Sequence, residues 1–482
     1  MAIGTAAPNL LFVAGEWTAA ATGKTMEIVD PATGIAVDRV PIADREDIER
    51  ALAAAEEAWR TWAEVDAWSR ASVVRDAARL IQQRTEEFAH VLTEEQGKPL
   101  REARAEVLAA AETFDWYADE ARRIYGRVVP SNSTANRIFV LRQPIGPVAA
   151  FTPWNFPAVT PARKIAPAIA AGCSIILKPA EETPRTALCL AQACEEAGLP
   201  PGVVNVVTGY PADISEQLIS SDRVRKVTLT GSVPVGRQVL RQAAEALKPV
   251  TLELGGHAPV LVFRDADVDQ AVSLAVEAKF RNAGQVCIAP SRFIVEAAII
   301  EEFTQKLIDS VRSLRVGPGT DPETDMGPLA NRRRLEAVER LVEDALLCGA
   351  KLETGGQRPP HLGRGFFYEP TVLSHVDASM EVTRCEPFGP IAPIFDFADQ
   401  DEGVALANAS PYGLAGYLFT RDLRRAHRVT EQLEVGIVGV NNLVVARPEA
   451  PFGGIKLSGF GRENGPEGVE AFTTIKYANF LL

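Results

Sequence analysis

The sequence predicts an α/β protein built from two parallel-sheet domains and a smaller β region. Three observations predict it. Between residues 148 and 247, short apolar runs alternate with helical segments. A second alternating run starts at "PVLVF", residues 259–263, and reaches into the 400s. Finally, "RIFVLRQPIG" at 137–146 and the tail "FTTIKYANFLL" at 472–482 read as strands detached from their sequence neighbours. Alternating β and α units imply parallel sheets with helices on both faces. Such sheets take ligands at the carboxyl ends of their strands. A lone strand needs a partner, so one subunit's tail is expected to pair with the 137–142 strand of another.

The elements follow in order. From Ser69 to Glu95, Val73, Val74, Ala77, Leu80, Ile81, Phe88, Val91 and Leu92 recur at helical spacing, and "GKP" at 97–99 ends that helix. "VAAFT" is a strand and "PARKIAPAIAAG" a helix; "SIILKP" is a strand and "TPRTALCLAQACEEAG" a helix stopping at Gly198. "VVNVVTG" precedes the short helix "ISEQLISS", and "RKVTLTG" precedes "PVGRQVLRQAAEAL". The join between the two domains falls near 253–258.

A chain of 482 residues is too long for one ordinary core. Apolar residues make up 46% and charged residues 23%, the balance of a soluble globular protein. A net charge of −13 argues against nucleic acid or an anionic membrane as partner. The first residues, "MAIGTAAPNLLFVAGEW", carry no basic n-region, and no apolar run of about 18 residues appears. The expectation is a cytoplasmic protein without a membrane partner. Six cysteines (173, 189, 194, 287, 348 and 385) are scattered without a CxxC pair, too few for a disulfide scaffold. The histidines at 90, 257, 361, 375 and 427 show no ligand spacing, so no metal site is expected, and GxSxG is absent.

Several short stretches carry chemistry. "VTLTGSVPVG" at 227–236 is strand, turn and helix, which directs free N–H groups and a positive dipole end to Gly231-Ser232. Without GxGxxG, a capped βα turn is the plainer reading of that stretch alone. "ILKPAEETP" sets Lys178 and Glu181 just past a strand end, near a nucleotide ribose or in a solvated loop. "LELGGHAP" places Glu253 before two glycines at the domain join, as a general base or a capping charge. "TPWNFP" holds Trp154, Asn155 and Phe156 between two prolines, and a fixed Asn amide can donate to a developing oxyanion. "FRNAGQVCIAPSR" contains Cys287 with no second cysteine nearby.

Taken together, "PWNFP", "KPAE", "TGS", "ELGG", "GQVC", "EPFGP" at 386–390 and "PFGGIKLSGFGRE" at 451–463 resemble the aldehyde dehydrogenase superfamily. In motif they stand closest to its succinate-semialdehyde dehydrogenases. The motifs are ordered as in that family over nearly the whole chain. The resemblance implies a cofactor domain at 1–121 and 145–253, a catalytic domain at 254–457, and an oligomerisation region at 122–144 and 458–482. Dimers or tetramers are implied too.

It also implies roles. Cys287 is the nucleophile, forming a thiohemiacetal that becomes a thioester. A free cysteine has a pKa near 8.5, leaving about a few per cent thiolate at neutral pH. Glu253 is the base for hydrolysis, and Asn155 with the Cys287 N–H is the oxyanion site. The cofactor is NAD, with NADP as the alternative, held by Thr152, Trp154, Lys178, Glu181, Gly231, Ser232, Leu254, Glu386 and Phe388. Glu463 matches a proton-release position. Arg163, Arg281 and Phe452 match substrate positions, pointing to succinate semialdehyde or a similar acidic semialdehyde. Two departures keep an aromatic or aliphatic aldehyde open: Ala446 replaces a serine of those relatives, and Ala289 a second cysteine that some carry. A CoA-acylating enzyme is disfavoured by Glu253, and a silent NAD-binding relative by the presence of Cys287, Glu253 and Asn155.

Overall fold

The structure, a computed structural model, describes residues 7–482. Two large sheets organise it. The first has eight strands in the order Glu16–Thr18, Leu11–Val13, Val204–Val206, Ile175–Lys178, Val148–Phe151, Lys226–Thr230, Val250–Glu253 and Gly459–Phe460. Its five middle strands run parallel. Chain order reverses between Val148–Phe151 and Lys226–Thr230, the switch point where such sheets open a crevice. Along one central strand Val148 and Ala150 face one core while Ala149 and Phe151 face the other, so helices cover both sides.

The second sheet has seven strands in the order Lys351–Thr354, Thr371–Ser374, Ile391–Phe397, Pro290–Glu296, Ala258–Val262, Ala415–Phe419 and Ile437–Val440. Only its first pair is antiparallel. The first sheet's strand ends at Glu253 and the second sheet's begins at Ala258, so four residues join the two.

Local chemistry sets the helix ends. Asp44 caps Arg45–Trp62 in a reciprocal box with Asp47. Gly172, at φ +88°, ends Val159–Ala171. The single helix expected from Ser69 to Glu95 is two, Ala67–Gln83 and Thr85–Gln96. Arg84 leaves helical geometry at φ −100°, ψ 19°, and bonds back to Glu87, while Glu86 and Glu87 favour a new amino-terminal turn. Apolar periodicity continues across such a break, so the break left no sign in that periodicity.

The tail differs from expectation as well. Thr473–Leu481 pairs antiparallel with Asn136–Pro144 of the same chain over nine residues, and Arg127–Val129 completes a three-stranded sheet. Pairing in trans is not needed, because Ile145 N–H bonds Phe472 O and brings the tail alongside. Residues 458–472, grouped above with the oligomerisation region, pack on the first unit instead. Gly459–Phe460 pairs with Val250–Glu253, and the helix Gly465–Glu470 lies near Val159–Ala171. Among the described residues no helix is long and apolar enough to cross a membrane.

Candidate active site

A cavity of about 740 Å³ lies between the two sheets. It gathers residues far apart in sequence. Trp154, Asn155, Arg163, Gly231, Ser232, Glu253, Leu254, Arg281, Cys287, Glu386, Phe388, Phe452 and Glu463 all line it. Thr152, Lys178 and Glu181 do not. They stand at the carboxyl ends of adjacent parallel strands, where Phe151 pairs with Lys178. Lys178, Thr152, Ser232 and Glu253 therefore follow successive strand ends, a row of about 14 Å at ordinary strand spacing.

Cys287 sits on a turn that few sequences can make. Asn282, Ala283 and Gly284 are successively left-handed, at φ +50°, +52° and +72°. Such a run is costly for Ala283 and is held by its surroundings. Asn282 N–H donates to Glu102 at 2.8 Å, Gln96 Nε2 donates to Asn282 Oδ1 at 2.8 Å, and Gln285 Nε2 donates to Asn282 O at 2.9 Å. A side chain at Gly284 would meet the Gly389 carbonyl at 2.2 Å, so glycine is required there.

The thiol is partly exposed to the cavity. Burial, with the nearby Glu386 carboxylate and in spite of Arg163, pushes it up to about 12. Relative to an ordinary cysteine, this surrounding favours the thiol over the thiolate. Glu253 ends its strand deeply buried, and neither carboxylate oxygen has a hydrogen-bond partner among the described residues. Burial first, then the charge of Glu463, holds its carboxyl well above the ordinary range. Asn155 Nδ2 donates to Gln285 O at 3.0 Å, leaving its second amide hydrogen free, and Oδ1 has no partner among the described residues.

On the side of the strand ends, Trp154 meets Phe388 edge to face at 5.4 Å. Glu386 Oε1 accepts from Gly256 N–H at 3.0 Å, and a side chain at Gly255 would stand 2.3 Å from Glu386 Oε2. Burial lifts the Glu386 carboxyl to about 7. Leu254 packs against Gly236, where a Cβ would stand 2.6 Å from Leu254 Cδ1. The Gly231 N–H is not free as expected; it donates to Glu253 O at 2.9 Å. Ser232 begins the helix Val233–Glu245 without its side chain capping it. Lys178 Nζ and Glu181 Oε2 pair at 2.9 Å.

The two arginines differ. Arg163 is half-buried, lies 4.5 Å from the Phe452 ring centre, and its Nε has no partner among the described residues. Arg281 is exposed at the rim, 5.5 Å from the Phe156 ring centre. Of the two arginines matched to substrate positions, one is thus half-buried and the other lies at the rim. Neither side chain makes a hydrogen bond or ion pair with another described residue. Ala446 lines the same cavity.

Sequence reasoning missed Lys164, whose Nζ lies 2.6 Å from Glu463 Oε1 and 3.1 Å from Thr228 Oγ1. Its only signal was adjacency to Arg163 in "PARK". It also missed Lys98, read as part of a helix stop, and Arg334 in the cavity wall near Glu386, whose buried Nε has no partner among the described residues.

Comparison with known proteins agrees with this site. The aldehyde dehydrogenase family model matches residues 17–478. The 3-sulfolactaldehyde dehydrogenase of Pseudomonas putida is 45% identical, with 98% of this chain and 97% of that one covered. The succinate semialdehyde dehydrogenase of Acinetobacter baylyi is also 45% identical, with 97% and 96% covered. A crystal structure of succinate-semialdehyde dehydrogenase from Burkholderia pseudomallei superposes with a TM-score of 0.97 at 45% identity, covering 99% and 98% of the two chains. The chain belongs to the aldehyde dehydrogenase family. Its fold is that of the family, and it is an NAD(P)-dependent aldehyde dehydrogenase.

Proposed function

We propose that this enzyme oxidises an aldehyde bearing a terminal anion, succinate semialdehyde or a similar acidic semialdehyde, to its acid. The observation that carries the reading is Arg163, half-buried in the wall of the Cys287 cavity and without an acidic partner among the described residues. A half-buried cation without a counter-charge gives up part of its hydration, whereas a substrate carboxylate would give it charge-assisted bonds. Arg281 at the rim adds attraction for the same anion. Two relatives are named for aldehydes that carry an anion, one a sulfonate and one a carboxylate, which supports the reading.

The site residues fit a dinucleotide. Thr152 Oγ1 is buried at a strand end without a partner among the described residues, the Ser232 hydroxyl is not used as a cap, and the Gly255 backbone lies against Glu386 with no room for a side chain. In this reading Lys178 and Glu181 hold the adenosine ribose, Ser232 the pyrophosphate and Glu386 the nicotinamide ribose, while Trp154, Leu254 and Phe388 supply walls. NAD is preferred over NADP, because Glu181 would repel a 2′-phosphate.

When bound, NAD(P) supplies a cationic ring that favours the thiolate and an acceptor for the substrate's hydride. The Cys287 thiol gives up its proton to solvent in the cavity, Sγ bonds to the aldehyde carbon as the carbonyl π bond opens, and the resulting alkoxide is held by the free Asn155 amide hydrogen and the Cys287 N–H. The thioester left on Cys287 is hydrolysed by water that Glu253 deprotonates, a carboxylate that burial makes more basic than an ordinary one. Glu463 and Lys164 carry that proton onward.

The three-stranded sheet joins subunits in this reading, as a homodimer or homotetramer. Its nine-residue edge strand is uncovered, and Ile475, Tyr477 and Phe480 on it are 62%, 61% and 53% exposed.

The test is Arg163→Ala, assayed with succinate semialdehyde and with an uncharged aldehyde of similar length. The anion reading expects KM to rise at least about tenfold, for the acidic substrate only. Equal losses on both substrates would reopen the substrate class.

A further inference from the structure

The turn that bears Asn155 is held by a buried charge pair outside the reactive set. Lys98 Nζ and Glu106 Oε2 lie 2.6 Å apart, with side chains 1% and 2% exposed. Lys98 Nζ also donates to the backbone carbonyl of Asn155 at 2.8 Å and lies 4.1 Å from the ring centre of Phe156. Its hydrogens are thus directed at one carboxylate, one carbonyl and one aromatic face. Glu106 uses its other oxygen to accept from Ala158 N–H at 2.8 Å and Val159 N–H at 3.2 Å. The helix Val159–Ala171 has no side-chain cap of its own, so Glu106 provides one from a distant helix. That helix carries Arg163 and Lys164.

The same Asn155 carbonyl is held from the opposite unit. Asn282 Nδ2 donates to it at 2.9 Å and reaches Gln285 O at 3.3 Å, the carbonyl to which Asn155 Nδ2 itself donates. Both the oxyanion turn and the left-handed turn before Cys287 therefore converge on one carbonyl oxygen. Two donors on that oxygen fix the peptide plane of Asn155, and with it the direction of the side chain.

We propose that Lys98 and Glu106 are positioning residues that, together with Asn282, clamp the Asn155 carbonyl and so aim its amide at the oxyanion formed on Cys287. The proposal rests on the reading of Asn155 as oxyanion donor. Lys98 and Glu106 also border the cavity, but their charged atoms are taken up by each other and by the Asn155 turn, so the clamp acts on the acylation step more than on aldehyde or cofactor binding.

The test uses the full-length protein with both charges removed at once, Lys98→Met/Glu106→Gln. Breaking a buried pair on one side only is strongly destabilising, whereas replacing both partners is usually tolerated. The amide oxygen that Glu106→Gln leaves in place can still accept from Ala158 and Val159, so the helix keeps its cap and only the ammonium on Asn155 O is lost. The expected result is a Tm within about 3 °C of wild type, unchanged NADH binding by fluorescence titration, and single-turnover NADH formation slowed at least about tenfold with KM for the aldehyde altered less than about threefold. Asn282→Gly removes the second donor while suiting the positive φ, and the same slowing is expected. A folded double variant with single-turnover rates within about twofold of wild type overturns the proposal; should that variant not fold, the same result for Asn282→Gly overturns it. Asn155→Ala separates the two readings. If it too is unaffected, the oxyanion assignment falls; if it is slowed while the clamp variants are not, only the clamp falls.

Discussion

Lys164 Nζ lies 2.6 Å from Glu463 Oε1, and both side chains are almost wholly buried. Glu463 in turn raises the carboxyl of Glu253, while Lys164 lowers it. Lys164→Met should remove the largest of the cationic influences on Glu253, which outweighs those of Arg462 and Arg163. Glu253 would then hold its proton to higher pH, and the acidic limb of kcat against pH should move upward. A profile unchanged from wild type would show that Lys164 does not tune the base.

Glu253→Gln should separate the two half-reactions. The Glu253 charge is one cause of the raised Cys287 thiol, so its removal does not hinder thiolate formation. Hydrolysis loses its base, worth about 10²–10⁴-fold. Rapid mixing should give a burst of NADH near one equivalent per active subunit, followed by slow turnover. Loss of the burst together with turnover would place Glu253 in an earlier step.

Glu386→Gln should change how stability depends on pH. Burial lifts this carboxyl from 4.5 to about 7 in the folded chain. Its contribution is fully present below the unfolded value and is lost as pH rises through the folded one. A difference of that size corresponds to on the order of 3 kcal/mol. The Tm of the variant should gain on wild type between about pH 4.5 and 7 and then level off. Parallel Tm profiles would mean that Glu386 is not buried in the protein in solution.

Glu181→Ser should narrow the preference for NAD. Burial works to raise the Glu181 carboxyl, but the Lys178 ammonium 2.9 Å away outweighs it, so the group stays ionised. Removing that charge should raise kcat/KM for NADP about tenfold, with a smaller fall for NAD. A wild-type preference for NADP would show that Glu181 does not face the ribose.

The sequence alone determined the two α/β units, the fold family they belong to and the type of reaction. Those features are local: apolar runs of strand length alternating with helical periods, and short motifs whose residues are adjacent. Cys287, Glu253 and Asn155 could be nominated because each sits in such a motif. Only the tertiary structure decided what those groups meet. Lys164 and Glu463 are 299 residues apart, and nothing in either segment announces the other. Lys98 looked like part of a helix stop until folding placed it under Asn155. The Gly231 N–H looked free until Glu253 O accepted it, and the helix break at Arg84 was hidden by unbroken periodicity. The tail strand found its partner within the chain, because the turn at Ile145 and Phe472 holds the two strands side by side. Periodicity encodes which face is buried, but burial partners, local dielectric and the use of each donor are set by packing across the chain. The reactive groups were therefore legible in sequence, while their protonation and alignment were not.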